Sequence, residues 1–489
     1  MSAPLKVLYT ASEVAPLAKT GGLADVAAAL PRQLRLLGRE VRSLMPLHSV
    51  VDRQLHRCSP LDGTKPFTIH MGGKAFEVSL WTARPPNDGP DAYLLDCPEL
   101  YDRPTVYTDD ADEPHRFALF SLAAIEACRH MNWAPDIFHC NDWHTSLIPP
   151  LLYTAEDREG FFRGSRTVLT VHNIGYQGIF SAVLLEELGL SGCEHLLDQE
   201  ELRAGRIGFL RTGLAHADAI TTVSPTYAME IQTEEYGMGL QDVLRKRRGD
   251  LTGILNGVDY DEWSPERDGW IPHHYSRSRL SGKKLNKAYL VKKLGLEGGE
   301  DAPLIGVVSR LVRQKGFELC YAVLPELLQY TDLRIAVLGE GEAEYEEFFA
   351  DLQQRFPGSA FYHGGYSEEL AHLIEAAADM FLMPSLYEPC GLNQMFSLRY
   401  GTIPIVRRTG GLADSVQPFD PQTGDGTGFV FEHFTEDGLR RAVRSALSTF
   451  RDPPLWRQLM NNAMTRNFSW QVQAKRYLEL YSEVSRRDS

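Results

Sequence analysis

The six residues Thr-Gly-Gly-Leu-Ala-Asp occur twice in this chain, at Thr20–Asp25 and at Thr409–Asp414. Each copy follows an apolar, strand-like stretch: Val7-Leu8-Tyr9 before the first, Ile403-Pro404-Ile405-Val406 before the second. The chain after each copy reads as helix. Paired glycines let a backbone approach a ligand closely and take positive φ. A helix opening just after them offers unpaired N–H groups and the positive end of a dipole. The repeat predicts two α/β halves, each with a glycine turn able to face an anion. Plain tight turns at strand–helix junctions fit the same residues.

The first copy carries more than glycine. Leu23, Val26, Ala27, Leu30, Leu34 and Leu37 recur at helical spacing, so the helix after Gly21 and Gly22 buries one face. Lys19 stands just before that helix, where the dipole disfavours a cation. An anion held at the same turn accounts for it, and a solvated surface lysine is the plainer alternative.

With 489 residues, 43% hydrophobic and 24% charged, the chain has the composition of a globular protein of several domains. Its formal net charge of −15 argues against a general nucleic-acid or membrane-surface binder, which needs a basic footprint. Seven cysteines with no Cys-x-x-Cys pair fit a reducing compartment and give no zinc motif, so a cytoplasmic protein is expected. No signal or transit segment and no apolar run of about 18 residues is read, so no membrane association is expected.

Strand candidates Lys6–Thr10, Asp136–Cys140, Thr167–Val171 and Ala219–Val223 alternate with helical stretches such as Phe117–His130. That alternation predicts a parallel sheet covered on both faces. A turn-rich stretch around Asn256-Gly257-Val258-Asp259 marks the domain crossover, giving domains over 1–255 and 256–468. The amphipathic end, with Trp470, Ala474, Tyr477, Leu478 and Tyr481 on one face, predicts a helix within 469–489 that completes the first domain. The basic run from His273 to Lys293 reads as a solvated helix face and loop. Beyond it the strand grammar restarts, at Leu304–Val308, Leu333–Leu338, Ala360–Tyr362, Met380–Met383 and Ile403–Val406, with Ser309–Gly316 a loop and Phe317–Leu328 a helix.

Chemistry-bearing residues gather where strands end. Arg310 and Lys315 follow one strand, placed to reach a diphosphate or simply to be solvated. Glu388 follows another, ahead of Cys390, Gly391, Leu392 and Asn393, whose N–H groups cap an anion if a helix starts there. Asp142, Trp143 and His144 follow a third and His172 a fourth. They read as a polar cluster for sugar hydroxyls or as satisfied histidines, with Trp143 either core or a stacking face. Their spacing fits no standard zinc motif. Gly339-Glu340-Gly341 lacks the third glycine of a dinucleotide fingerprint, since Glu344 stands there, and this disfavours a nicotinamide dehydrogenase.

Seven segments in order, Lys19–Val26, Asn141–His144, Val171–Asn173, Ile254–Asp259, Ser309–Gly316, Glu388–Leu392 and Arg407–Asp414, resemble the bacterial glycogen synthases and the plant starch synthases. The resemblance runs from Lys6 to Tyr481. It implies a GT-B fold, two Rossmann-like domains facing a deep cleft, and retaining transfer of glucose from ADP-glucose to the non-reducing end of an α-1,4-glucan. It implies that Lys19, with Gly21 and Gly22, meets the donor, that Arg310 and Lys315 hold the diphosphate, and that Glu388 and the Cys390–Asn393 backbone bind glucose and phosphate. It implies that His172 faces the reacting sugar and that Tyr366 flanks the base. Tyr107, Asp142 and Trp143 are then on the acceptor side, and Asn256 lies near the donor sugar. ADP-glucose is a substrate, and no cofactor or metal is implied. Leu386 stands where the family usually has Arg, Asn393 where it has Thr, and Phe396 where many related retaining transferases have a second Glu. The alternatives are UDP-glucose or another nucleotide sugar as donor, a phosphorylase-like or sucrose-type transferase on the same fold, and a silent glucan-binding scaffold, against which the intact Lys19, Arg310, Lys315 and Glu388 argue.

Overall fold

The strand Lys6–Thr10 is buried along almost its whole length, as a strand covered on both faces must be. It pairs in parallel with Glu40–Pro46 on one side and Ile137–Asn141 on the other. Seven parallel strands run across this sheet in the order Leu251–Gly253, Ala219–Thr222, Arg166–Val171, Ile137–Asn141, Lys6–Thr10, Glu40–Pro46 and Ala92–Asp96. An antiparallel edge of Lys74–Ala83, Phe67–Met71 and Ser59–Pro60 extends it. The computed structural model describes residues 4–84, 92–154, 160–299 and 301–487.

The chain divides into two compact units. The first takes Met1–Val223, Ala228–Gly257 and Trp470–Ser489, and the second takes Ser224–Tyr227 and Val258–Ser469. In the second, six parallel strands run Ala360–His363, Arg334–Leu338, Leu304–Val308, Met380–Met383, Ile403–Arg407 and Phe429–Phe431. Numbered along the chain, that order is 3-2-1-4-5-6, the doubly wound arrangement, and the parallel part of the first sheet follows the same rule. Both units are Rossmann-like. In each, the order reverses between the first strand and the fourth: between Lys6–Thr10 and Ile137–Asn141 in one, and between Leu304–Val308 and Met380–Met383 in the other.

The helix Gly22–Leu36 buries Leu23, Val26, Ala27, Leu30 and Leu34, the face expected from its spacing. The terminal helix Trp470–Val484 packs Trp470, Ala474, Tyr477 and Tyr481 into the same core, against residues such as Val7 and Tyr9. Among the described residues no helix is long and apolar enough to cross a membrane.

Three features differ from expectation. The stretch Phe317–Leu328 opens with a tight turn over Phe317–Leu319 and becomes α-helix only at Cys320–Tyr330. The expected parallel sheet gains an antiparallel edge, in which Phe67–Met71 alternates buried and exposed residues. The basic run is not simply solvated: in the helix Ser281–Leu294, Lys283 and Lys287 are 5% and 4% exposed. Lys287 Nζ pairs with Asp379 Oδ2 at 2.7 Å, and that oxygen also accepts the Leu304 N–H at 2.8 Å. Lys283 Nζ donates to Thr402 Oγ1 at 2.6 Å and to the Ala376 carbonyl at 3.2 Å, and burial pulls its pKa down to about 7. Local composition could not reveal this, because the partners lie about 90 to 120 residues away.

Removing one partner of a buried ion pair strands the other charge, at about 3–5 kcal/mol. Asp379→Leu is therefore expected to lower the urea midpoint sharply, and the double variant Asp379→Leu/Lys287→Met to recover much of the loss. Additive losses in equilibrium unfolding would contradict the pairing.

Candidate active site

Open α/β sheets bind ligands where the strand order reverses, beyond the carboxyl ends of the strands. In the second unit the loops at the reversal are Ser309–Gly316 and Pro384–Leu392. Of the sequence-predicted residues, Arg310, Lys315, Glu388, Cys390, Gly391 and Leu392 sit on them. Arg310 is exposed. Lys315 Nζ lies 2.6 Å from Glu388 Oε2, which also accepts from Ser385 Oγ at 2.9 Å. Glu388 is 4% exposed, so the pair is well defined. An ammonium has three donors, and one bond to Glu388 leaves two for a ligand.

The loop carrying Glu388 is pinned from below by a residue that sequence reasoning gave no role. Buried Arg407, at the end of the strand Ile403–Arg407, donates from Nε to the Ser385 carbonyl at 2.8 Å and from a terminal nitrogen to the Leu386 carbonyl. The helix Asn393–Tyr400 begins just beyond Cys390, Gly391 and Leu392, as an anion cap needs. Asn393 Nδ2 reaches across the reversal to the Val308 carbonyl at 2.6 Å. Gly391 has φ +70°, where a side chain is strained. Tyr366 stands 65% exposed ahead of the helix Glu368–Ala377, its hydroxyl on Glu368.

The two copies of the hexapeptide prove to do different work. In the second, a Cβ on Gly410 would lie 1.9 Å from the Glu388 carbonyl oxygen, and one on Gly411 2.0 Å from that of Cys390. These glycines let the turn press against the loop that carries Glu388. In the first, Gly21 has φ −153°, which any residue adopts, and a Cβ there would meet only Glu13 Oε1 at 3.8 Å. Neither backbone conformation nor internal packing demands glycine at 21, which corrects the expectation of positive φ.

A second residue absent from the sequence reading explains that turn. Glu13 is 2% exposed, and its Oε2 accepts the Thr20 N–H at 2.5 Å. Burial raises its pKa to about 7, against the hydrogen bonds from Thr20 and Gly21. Lys19, half exposed, pairs with Asp25 at 2.8 Å in the first turn of the helix, which gives it a local partner besides any ligand.

At the first unit's reversal stand Asp142, bonded to His172, and Tyr107, bonded to Ser12, whereas Asn256 follows the edge strand Leu251–Gly253. Asp142 follows the strand Ile137–Asn141 with φ +55° and ψ −174°, a conformation close to glycine-only. Its Oδ1 accepts the His172 N–H at 2.7 Å. Burial lifts its pKa to about 7, opposed by the His172 and Asn173 N–H groups and aided by Glu13. His172 is half-buried and burial lowers its pKa to about 3, so the ring is neutral. Tyr107 stacks on His144 with ring centroids 4.9 Å apart and shares a hydrogen bond with Ser12 at 2.8 Å. Asn256 is 7% exposed, and its buried Oδ1 has no hydrogen-bond partner among the described residues. Trp143 is core, edge-on to Phe117 and against Phe180 and Phe209. His139 is a satisfied buried histidine, bonded to Tyr481 and Thr170.

One group of described residues has metal-ligand proximity, Glu262, Glu368 and His372. Both ring nitrogens of His372 already face carboxylates, Asp268 at 2.9 Å and Glu368 at 3.2 Å. Burial alone would lower its pKa, but those bonds raise it to about 9. It is a paired imidazolium rather than a ligand.

Two doubly wound units, each with polar and charged groups at its reversal, define the class: a GT-B glycosyltransferase fold. Residues 6–246 match the starch synthase catalytic domain and 295–465 the glycosyl transferases group 1. A glycogen synthase of Anaeromyxobacter dehalogenans is 44% identical, over 98% of this chain and 100% of its own. One of Koribacter versatilis is 42% identical, over 98% of each. The catalytic domain of starch synthase IV from Arabidopsis thaliana, solved with ADP and acarbose, matches with TM-score 0.90 at 33% identity over 99% of this chain and 100% of that one. The sucrose-phosphate synthase of Thermosynechococcus elongatus, TM-score 0.61 at 18% identity, shares the fold. The chain belongs to the glycogen synthase and starch synthase family.

Gly411→Ala is expected to cost at least about 2 kcal/mol in chemical unfolding, since backbone must move, whereas Gly21→Ala stays within about 0.5 kcal/mol. Equal losses would contradict the distinction between the two copies. The raised carboxyls of Glu13 and Asp142, against ordinary values of 4.5 and 3.8, predict a pH dependence. Between about pH 4 and 7 the unfolded chain releases these protons while the folded one keeps them, so stability falls as pH rises through that window and levels above it. Thermal melts of Glu13→Gln/Asp142→Asn should show a smaller fall than wild type there, and an unchanged slope would contradict the assignment.

Proposed function

We propose that the protein transfers glucose from ADP-glucose to the non-reducing end of an α-1,4-glucan, glycogen or a shorter oligomer, with retention at the anomeric carbon. The observation that carries this reading is the Lys315–Glu388 pair at the second unit's reversal, on the loop that also carries Arg310. A departing ADP carries negative charge. Arg310, Lys315 and the start of the helix Asn393–Tyr400 supply preorganised positive potential for it. The backbone of Cys390, Gly391 and Leu392 offers N–H groups to the same phosphate, and Glu388, oriented by Lys315, binds sugar hydroxyls. Tyr366 serves the base.

On the first unit, Gly21 is a glycine with no internal reason to be one, which fits close approach of a ligand to Gly21 and Gly22. Lys19 meets the donor by exchanging its bond to Asp25. The unpartnered Oδ1 of Asn256 fits a sugar hydroxyl. His172 faces the reacting sugar, with Tyr107 and Asp142 on the acceptor side. Trp143 acts from the core, by shaping the wall behind Phe117. The acceptor hydroxyl attacks from the side the phosphate leaves, and the leaving phosphate takes its proton. This chemistry uses fixed cations where other transferases use a divalent ion, so no metal and no cofactor is assigned. The two Asp-x-Asp triplets face arginines: Asp110 and Asp112 lie by Arg103, and Asp261 by Arg267. Seven free thiols fit a cytoplasmic enzyme.

The test is a turnover assay on glycogen with ADP-glucose, UDP-glucose and GDP-mannose, with and without exhaustive chelation. ADP-glucose is expected to be the best donor, with activity surviving chelation. Arg310→Ala and Lys315→Ala should each cost about 2–4 kcal/mol in the transition state, Arg310→Ala with folding little changed and Lys315→Ala with a lower unfolding midpoint as well, because it strands the buried Glu388 carboxylate. Near-normal turnover in both variants, or activity restored only by magnesium or manganese, would overturn the reading.

A further inference from the structure

Asn141, the last residue of the strand Ile137–Asn141, has no part in the function argued above, yet both ends of its side-chain amide are bonded. Nδ2 donates to the Thr10 carbonyl at 2.9 Å. Oδ1 accepts from the Tyr9 hydroxyl at 3.0 Å and lies 2.9 Å from His172 Nε2. The Thr10 carbonyl can only accept, so it fixes which end of the amide is which. Turning the amide over would set oxygen against oxygen at the bottom of a fully buried site. Oδ1 is therefore the atom facing His172, and an amide oxygen can only accept. The imidazole must bring a proton to it.

The ring has one proton to bring. His172 is neutral, because burial holds its pKa near 3. If Nε2 carries the proton, Nδ1 carries a lone pair. Among the described residues nothing donates to Nδ1, and that atom is not among the buried unpartnered ones. The backbone N–H of His172 is meanwhile bonded to Asp142, so main chain and ring are both held at one strand end.

We propose that Asn141 is a positioning residue that sets the tautomer of His172, making Nδ1 an acceptor for a hydroxyl of the transferred sugar. Asn141 itself touches no substrate in this account. It acts by denying His172 the alternative tautomer, whose Nδ1–H would meet a sugar hydroxyl only as a donor and leave Nε2 lone pair against Oδ1. The sugar half rests on the glucosyl-transfer reading, and the tautomer half does not.

The experiment is a long-range 1H–15N correlation spectrum of the full chain labelled with 15N-histidine, near pH 7 and without ligand. His172 is assigned by the signals that vanish in His172→Gln. The expected result is neutral imidazole protonated at Nε2. An Nδ1-protonated ring, or an imidazolium, overturns the proposal without any change to Asn141. Asn141→Leu should lose the tautomer preference and lower kcat/KM for ADP-glucose about tenfold or more, the effect of one hydrogen bond to a reacting sugar. Tyr9→Phe removes the other donor to Oδ1 and should keep both the tautomer and kcat/KM within about twofold. A tautomer unchanged in a folded Asn141→Leu protein assigns Asn141 a merely structural role and also overturns the proposal. An Nε2-protonated ring in a protein that turns over no nucleotide sugar would sink the glucosyl reading while leaving the tautomer standing.

Discussion

A parallel sheet brings the carboxyl ends of all its strands to one edge, and the helices that follow begin there. Where the strand order reverses, the loops on either side part and leave that edge open to a ligand. Both units depend on this constraint. In the second, the loops after Leu304–Val308 and Met380–Met383 supply Arg310, Lys315 and Glu388. In the first, the loops after Lys6–Thr10 and Ile137–Asn141 supply Glu13, Gly21 and Asp142. Residues far apart in the chain meet because topology sends them to one edge. The side chains beneath, Arg407 in one unit and Asn141 in the other, then hold the loops in position.

The two edges are tuned in opposite electrical senses. At the second, Lys315 is set in place by one carboxylate and Arg310 stands exposed on the same loop, the arrangement expected where negative charge must be received. At the first, burial lifts the Glu13 and Asp142 carboxyls to about 7, so that their charge is only partial at neutrality, and keeps His172 uncharged. A site that handles hydroxyl groups needs donors and acceptors without strong fields. Partly protonated carboxyls and a neutral imidazole supply them.

Much of this was legible in the residues. The doubled hexapeptide announced two α/β halves, and Met380–Met383 was read to the residue because its apolar run is short and ends at Pro384. The strand-end positions of Arg310, Lys315, Glu388, Asp142 and His172 followed from the same pattern, since loops after buried strands are where polar residues stand out. What escaped was everything set by distant partners. Glu13 looked like ordinary polar sequence until the fold turned it under Thr20. Lys283 and Lys287 looked solvated until Thr402 and Asp379 arrived from about 90 to 120 residues away. The identical glycines of the two hexapeptides could not be told apart, because the difference lies in the Glu388–Cys390 backbone against the second copy.

The central claim is that the second unit's reversal receives the diphosphate. A crystal structure of the protein with ADP tests it most directly. The account predicts phosphate oxygens within hydrogen-bond distance of Arg310 and Lys315, and at the N-terminus of the helix Asn393–Tyr400. A diphosphate bound to Lys19 alone, or anywhere away from the loops after Leu304–Val308 and Met380–Met383, would contradict it.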